Sequence, residues 1–338
     1  MTLVRLPLSE LRSLVLGVFR AENESEGLFP NRMTPGLSAF YTYAEAALIR
    51  ARCASGARLR FRSDASRLRL TLRTGRQARA RHCADLFLDD TFEKTCRVAA
   101  KSGTSIEITV ERLDHRPRLV EIWLPHVTEC WITSLELDPD ASISPAPPDH
   151  PELWLAIGDS ITQGMEASSP ALAWPALAAR ALGISLHNTA VGGAQMDPGA
   201  GQVEKIPASV LTVAFGCNDW NQSKPLRQFE TDTHHLLDRL QTAHPHAPLL
   251  LLTPLPILRE GGERNEAGEA MERYRETLRQ VAAERGLTCI EGPSLVPPDR
   301  SAFSDGIHPN NAGMALMARR IQPFLARALG LTSALPRR

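Results

Sequence analysis

Near its middle the chain reads Leu153-Trp154-Leu155-Ala156-Ile157 and then, without interruption, Gly158-Asp159-Ser160-Ile161-Thr162-Gln163-Gly164. The first five residues are apolar, which is typical of a strand buried on both faces of a parallel sheet. A serine on the turn that leaves such a strand lies at the carboxyl edge of the sheet, where open α/β sheets bind their ligands. Ser160 is therefore a candidate nucleophile, although a serine hydroxyl needs a base to activate it.

Two later segments offer hydrogen-bond donors at the same predicted edge. The first runs from Asn188 to Gly193 after a strand candidate and ends in paired glycines, whose backbone can approach a ligand closely. The second runs from Gly216 to Asp219 after an apolar strand candidate, and its Asn218 carries a side-chain amide donor. Together they could stabilise negative charge on a substrate oxygen.

A third segment supplies a base. Asp305 and His308 are three residues apart in a loop before the last predicted helix, so that one loop can present both side chains to one site. An imidazole can take the proton of Ser160 near neutral pH. Asp305 would accept the other ring N–H and stabilise the imidazolium.

These segments, in this order and spacing, resemble the sequence blocks of the SGNH subgroup of GDSL esterases and lipases. The resemblance covers Gly158 to His308 and implies transfer of an acyl group through a covalent acyl-serine. The chain has no Gly-x-Ser-x-Gly, so the nucleophile elbow of the α/β-hydrolases is absent. By the resemblance, the catalytic residues are Ser160, Asp305 and His308, and the oxyanion hole consists of Ser160, Gly193 and Asn218.

Each segment also has a structural interpretation without catalysis. Ser160 could cap a helix, the paired glycines could form an ordinary turn, Asn218 could form an Asx-turn, and His308 could simply precede a helix. Four such coincidences after strand-like runs are improbable together, because catalytic loops belong at those positions. We therefore favour the catalytic interpretation.

The pattern of the chain changes near residue 145. Alternating apolar and polar runs before it predict an antiparallel β-sandwich of jelly-roll type over residues 1–144. A proline-rich linker is predicted at 145–150. Strands then alternate with helices over 151–330, which predicts a three-layer α/β/α domain. The resemblance implies a flavodoxin-like strand order for this domain. The alternating runs of the sandwich are 59–62, 68–72, 106–110, 120–124 and 131–137. The predicted strands of the second domain are 153–157, 184–188, 210–215, 248–253 and 288–290, and its helices are 174–182, 225–243, 265–285 and 311–328.

The predicted sandwich resembles the domain ahead of some SGNH carbohydrate acetylesterases and acyltransferases. Cys83 to Phe87 partly matches a Gly-x-Asp-Leu-Tyr signature of one such domain, with cysteine for glycine and phenylalanine for tyrosine.

The sandwich also contains a cluster of arginines, which either binds an anionic partner or forms the solvent face of a sheet. We favour the solvent face, because exposed charge protects strands from edge pairing. The cluster comprises Arg58, Arg60, Arg62, Arg67, Arg69, Arg73, Arg76, Arg79 and Arg81.

Composition narrows the possible partners. The 338 residues include 38 basic and 38 acidic side chains, so bulk charge favours neither nucleic acid nor a membrane as partner. The apolar piece at 14–19 is too short to span a bilayer and lacks the form of a secretory signal, so we expect a cytoplasmic protein. The six cysteines form no C-x-x-C pair and are expected to be free thiols, Cys217 among them as a buried structural residue. We expect no metal and no cofactor.

The sequence therefore predicts a serine esterase acting on a short-chain acyl ester, such as an O-acetyl group on a small molecule or carbohydrate. An acyltransferase with the same triad is an alternative, since an acceptor hydroxyl can replace water. A carbohydrate-binding protein without activity is another alternative, but the complete set of site residues argues against it.

Overall fold

The computed structural model describes residues 3–111, 114–258 and 264–331. In the first 145 residues of this part of the chain, twelve strands form two antiparallel sheets of six. In chain order the strands are β1 (Val4–Arg5), β2 (Val15–Leu16), β3 (Arg20–Glu24), β4 (Gly27–Asn31), β5 (Arg58–Ser63), β6 (Arg67–Gln77), β7 (His82–Leu88), β8 (Thr91–Val98), β9 (Ser105–Glu111), β10 (Arg118–Trp123), β11 (Thr128–Leu137) and β12 (Ile143–Pro145). Three helices accompany them: α1 (Leu8–Leu11), α2 (Pro35–Phe40) and α3 (Glu45–Arg52).

The two sheets form a sandwich. The order of the first is β3-β4-β11-β6-β9, with β1 also paired to β11, and the order of the second is β12-β5-β10-β7-β8, with β2 also paired to β5. Leucine, isoleucine and valine side chains from both sheets meet in one buried cluster, as alternating strands require. The predicted antiparallel sandwich is confirmed, and each of its five predicted runs overlaps a strand, with bounds shifted by a few residues.

A parallel sheet carries the second domain. Its strands are β13 (Leu153–Gly158), β14 (Ser185–Asn188), β15 (Val210–Ala214), β16 (Leu249–Leu252) and β17 (Thr288–Ile290). Among the described residues their order is β14-β13-β15-β16-β17, and every pair is parallel. This is the flavodoxin-like order, in which the chain reverses direction across the sheet beside β13. The predicted three-layer α/β fold is confirmed.

The helices of this domain are α4 (Ser160–Gln163), α5 (Trp174–Leu182), α6 (Cys217–Asn221), α7 (Leu226–Ala243), α8 (Met271–Glu284), α9 (Gly292–Leu295) and α10 (Asn311–Ala328). Helix α8 begins six residues later than the sequence predicts. Asn265 accepts the Glu269 amide through its side chain, and Gly268 has a left-handed φ of +79°. This local turn satisfies backbone groups that a helix would otherwise bond.

The predicted linker at 145–150 begins inside a strand. Pro145 pairs with Phe61 at the edge of the second sandwich sheet, and the Ala146 amide donates to the Arg60 carbonyl. Proline tolerates an edge position because its missing N–H would face outward. Strand pairing thus extends into the first two residues of the predicted linker.

The two domains share a hydrophobic core. The segment of α2 and α3 packs against the parallel sheet rather than inside the sandwich. Its buried members in this shared core are Met33, Leu37, Tyr41, Ala47 and Ala51. Phe87 and Trp123 of the sandwich join the same cluster. The sandwich is thus fixed on the α/β domain by apolar packing.

The arginine cluster does not form a single solvent face. Arg58 and Arg60 are buried at 3% and 6% exposure and contact Glu121, so the predicted solvent face is wrong for these two residues. Residues 58 to 60 lie where the second sheet meets α5, whose Arg180 also pairs with Glu121. Period-two alternation cannot reveal that both faces of a strand are covered.

Within the described ranges, no helix is both long and apolar enough to cross a membrane.

Candidate active site

Ser160 lies at the carboxyl end of β13, as the sequence predicts. Asp159 caps α4 by accepting the Ile161 amide at 2.9 Å, and Gly164 ends the helix in a left-handed conformation. A side chain on Gly158 would come within 2.6 Å of the Ala214 carbonyl oxygen, so the turn requires glycine there. Ser160 itself is 8% exposed, which leaves its hydroxyl at the rim of the sheet.

The three predicted triad residues form one hydrogen-bonded chain. The Ser160 Oγ lies 2.9 Å from His308 Nε2, and His308 Nδ1 lies 2.7 Å from Asp305 Oδ2. The Asp305 Oδ1 also accepts the backbone amides of Ile307 and His308 at 2.9 and 2.8 Å. Burial alone would raise the pKa of Asp305, but these hydrogen bonds together hold it below its usual value. The carboxylate therefore stays charged and can orient the imidazole.

The loop 188–193, called the glycine loop, is held from beneath by α4, the helix that begins at Ser160. Asn188 Nδ2 donates to the Thr162 carbonyl at 2.8 Å, and the Gly192 amide donates to Gln163 Oε1 at 2.7 Å. Gly193 follows with a left-handed φ of +81°. The sequence predicts an oxyanion role for the amide of this residue, which lies in the loop after β14.

Asn218 lies at the start of α6, after Gly216 turns the chain with a φ of +115°. Its Nδ2 donates to the Ala194 carbonyl at 2.9 Å, which ties it to the residue after Gly193. An amide nitrogen carries two hydrogens, so the second remains available to a ligand. Gly193 and Asn218 thus belong to one hydrogen-bonded unit, next to Ser160 along the sheet edge.

Two buried acids lie beneath the site. Burial raises the pKa of Asp159 to about 7 and that of Asp219 to about 6. Asp219 accepts the Met196 amide and pairs with Lys224, which holds the loop behind Asn218. Cys217 is 7% exposed beside Asp159, and burial raises the pKa of its thiol, in keeping with a structural residue. All six cysteines are free thiols.

Three residues that the sequence analysis missed reach the site region, two of them from the sandwich. Arg50, at the end of α3, donates through Nη1 to the Gly192 carbonyl at 2.9 Å. Arg32 donates to the carbonyls of Asn188 and Ala190 at 2.8 and 2.9 Å. Gln163 donates to the Arg50 carbonyl at 2.9 Å. No local pattern marks these residues, because their contacts span up to 158 positions of sequence.

Within the described residues, no group of three or more His, Cys, Asp or Glu side chains is arranged to hold a metal ion.

The fold of the C-terminal domain is that of an SGNH-type hydrolase. Residues 156–316 match the GDSL-like Lipase/Acylhydrolase family, and the C-terminal domain of this chain is a domain of that family. The resemblance inferred from the sequence is thereby confirmed, and with it the class of carboxylic ester hydrolases. A comparison with curated proteins gave no significant match.

Several solved structures share the two-domain fold. A salicylyl-acyltransferase from a tetracycline biosynthetic pathway has a TM-score of 0.81 at 21% identity, with 96% of each chain covered. An acetyl xylan esterase from the rumen bacterium Butyrivibrio proteoclasticus has a TM-score of 0.66 at 13% identity, covering 98% of this chain and 99% of the other. A family two carbohydrate esterase from Clostridium thermocellum has a TM-score of 0.65 at 17% identity, covering 82% and 94%. At these identities the likeness concerns the fold.

Proposed function

We propose that this protein is a serine esterase that hydrolyses short-chain acyl esters, in particular O-acetyl groups on carbohydrate, through an acyl-serine intermediate. The observation that carries the proposal is the continuous hydrogen-bonded chain from Ser160 through His308 to Asp305 at the carboxyl edge of the sheet. A nucleophile, a base and an orienting acid in contact are what acyl transfer to serine requires.

The first half of the reaction forms the acyl-serine. His308 Nε2 takes the hydroxyl proton as Ser160 Oγ bonds to the ester carbonyl carbon, and Asp305 stabilises the imidazolium. The carbonyl oxygen becomes an oxyanion, which the amides of Ser160 and Gly193 and the Asn218 side chain receive. The carbon–oxygen bond to the alcohol then breaks, and His308 returns its proton to the leaving alkoxide.

The second half releases the acid. Water takes the place of the alcohol and gives a proton to His308 as its oxygen bonds to the acyl carbon. The same oxyanion donors hold the second tetrahedral intermediate, which collapses with return of the proton to Ser160. The chain supplies every group in this sequence without any further reactant than water.

The carbohydrate part of the proposal is supported by the two-domain architecture. This chain shares its fold over 98% of its length with an acetyl xylan esterase and over 82% of its length with a family two carbohydrate esterase. The sandwich of this chain also reaches the catalytic edge, through Arg50. Contacts remote from the reacting carbon can position a large alcohol portion.

Acyl transfer to an acceptor hydroxyl is a second candidate. It is favoured by the fold similarity to the salicylyl-acyltransferase, which covers 96% of both chains. Asp305 is 49% exposed in its side chain, so the rim of the site is open to a second reactant. The chemistry differs only in the oxygen that attacks the acyl-serine.

The experiment combines active-site labelling with substrate screening. A fluorophosphonate probe should label Ser160, and the label should be lost in Ser160→Ala but kept in Ser294→Ala, a control at an exposed serine. Acyl-nitrophenyl esters and acetylated sugars identify the acyl and alcohol parts, and product analysis with added alcohols separates hydrolysis from transfer. Label on another serine of an active enzyme would contradict the assignment. Carbohydrate binding without turnover of any ester would support the non-catalytic alternative.

A further inference from the structure

We propose that Arg50 forms a binding subsite for an anionic group of the substrate, a carboxylate, sulfate or phosphate carried by the acyl or the alcohol part of the ester. This inference rests on the proposed esterase function and names a substrate class for it.

The guanidinium of Arg50 lies directly over the predicted oxyanion loop. Its Nη1 donates to the Gly192 carbonyl at 2.9 Å. A Cβ placed on Gly193 would lie 2.8 Å from the same Nη1, and among the described residues the only atoms it would meet within 4 Å, apart from its chain neighbours, belong to Arg50. The cation therefore lies one residue from the amide that is proposed to receive the oxyanion, where a substrate must pass.

Both domains fix the backbone of Arg50. Its carbonyl accepts Gln163 Nε2 at 2.9 Å from α4 and Arg32 Nη2 at 2.7 Å from the sandwich. Gln163 at the same time accepts the Gly192 amide. A side chain on such an anchored backbone loses little freedom when it binds a ligand, which is how binding sites are pre-organised.

The charge of Arg50 lacks a counter-ion. Within the described residues, no carboxylate lies within 4.0 Å of its guanidinium, whereas its neighbour Arg52 pairs with Glu24 and Glu129. Arg50 is half-buried, and burial together with the charge of Arg79 lowers its pKa. A desolvated cation without a partner is costly to hold, and a bound anion would offset that cost.

The neighbouring charges do not compensate Arg50. Arg79 and Arg81 both pair with Glu166. Glu166 lies next to the glycine loop, because the sulfur of the preceding residue, Met165, packs against Gly192. Two arginines thus share one glutamate beside the loop, and Arg50 adds a third positive charge. The surroundings of Arg50 favour an anion, in contrast to the neutral balance of the whole chain.

Arg50 could instead serve only to hold the Gly192 carbonyl. That role would affect all esters alike, because it would act through the oxyanion loop. An anion subsite affects only esters that carry the charge, and it acts mainly on KM. Paired substrates that differ in one charge separate the two roles.

The experiment uses two pairs of esters with the full-length protein. On the acyl side, 4-nitrophenyl hydrogen succinate is compared with 4-nitrophenyl butyrate; on the alcohol side, 4-acetoxybenzoate is compared with its methyl ester. The parent should prefer the anionic member of at least one pair. Arg50→Gln should lower kcat/KM for that member about tenfold more than for its neutral partner, mainly through KM, since a charge-assisted hydrogen bond is lost. Arg50→Lys should restore part of the preference, and Arg62→Gln, at an exposed arginine, should leave it unchanged.

Equal losses for both members of each pair, or no preference in the parent, would overturn the proposal. A second measurement does not depend on catalysis: calorimetric titration of Ser160→Ala with monomethyl succinate, with and without Arg50→Gln. Binding that needs Arg50 would support the subsite even if no ester is turned over, and that result would count against the esterase function alone. Binding that is unchanged by Arg50→Gln would refute the subsite whatever the esterase activity.

Discussion

Replacing Arg32 by methionine should lower both the stability of the protein and its activity. Arg32 is 1% exposed and donates four hydrogen bonds, all to backbone carbonyls, at 2.7 to 2.9 Å. Its partners are the carbonyl oxygens of Cys53, Asn188, Ala190 and Arg50. Burial lowers the pKa of Arg32 to about 10, so the guanidinium remains charged at neutral pH.

The size of the effect follows from the groups left behind. Methionine fills much of the space but donates no hydrogen bond, so four buried carbonyls lose a charged donor. Each unsatisfied buried group costs about 1–3 kcal/mol. Removing the buried cation also removes the cost of its desolvation, which offsets part of that total. We therefore expect the free energy of unfolding to fall by about 3–5 kcal/mol. Two of the carbonyls belong to the loop that carries Gly193, so kcat on a neutral nitrophenyl ester should fall as well.

Urea unfolding of the parent and of Arg32→Met, followed by circular dichroism, measures the first effect. Arg62→Met is the matched control, because Arg62 is exposed and its replacement should change stability by less than about 0.5 kcal/mol. Arg32→Lys should lie between the two, since an ammonium can reach only some of the carbonyls. A variant Arg32→Met as stable as Arg62→Met would show that this buried cation does not hold the two domains together.

Three further predictions concern the catalytic edge. His308→Ala should lower kcat at least about 10³-fold, and Asp305→Ala less, in steady-state assays; a rate for His308→Ala within tenfold of the parent would exclude its role as base. Asn218→Ala should lower kcat about 10²–10³-fold with little change in KM, because its amide serves the transition state; a raised KM at constant kcat would mark it as a ground-state contact. Burial raises the pKa of Asp159 from 3.8 to about 7, so its contribution to stability is present below about pH 4 and is lost as pH rises through about 7. The parent should therefore lose stability relative to Asp159→Asn between those pH values in urea titrations, and a difference independent of pH would show that Asp159 is ionised throughout.

The fold was predictable where the strands are long and regular. The run 153–157 is apolar throughout, and it forms a strand that is buried in the core of the α/β domain, as its composition predicts. The strands at 82–88 and 91–98 were missed, because the first is buried along its whole length and the second is largely exposed, so neither alternates. The short helices of 35–52 were missed for a related reason: their apolar residues face the other domain, and no periodicity within so few residues indicates this.

The chemistry of the site was predictable for groups that follow strands of the parallel sheet. Ser160, Gly193 and Asn218 each come shortly after a strand end, so the topology alone gathers them at one edge. Arg50 and Arg32 come from a helix and a loop of the sandwich, where no rule of topology links them to that edge. Their contacts depend on how the two domains dock, which is decided by packing between residues far apart in the chain.

Because the two domains dock, the sandwich helps to hold the loop 188–193, which carries the proposed oxyanion donor Gly193. The loop 188–193 donates hydrogen bonds on one side to Thr162 and Gln163 of α4, and on the other side it accepts hydrogen bonds from Arg32 and Arg50. Oxyanion donors act by being pre-organised, so their geometry depends on whatever holds this loop. Because two of its supports come from the sandwich, a change in the packing of α3 would alter both the position of Gly193 and the charge beside it. If Gly193 donates to the oxyanion and Arg50 binds an anion, as proposed, specificity and rate are coupled through one structural element and need not be tuned by separate regions of the chain.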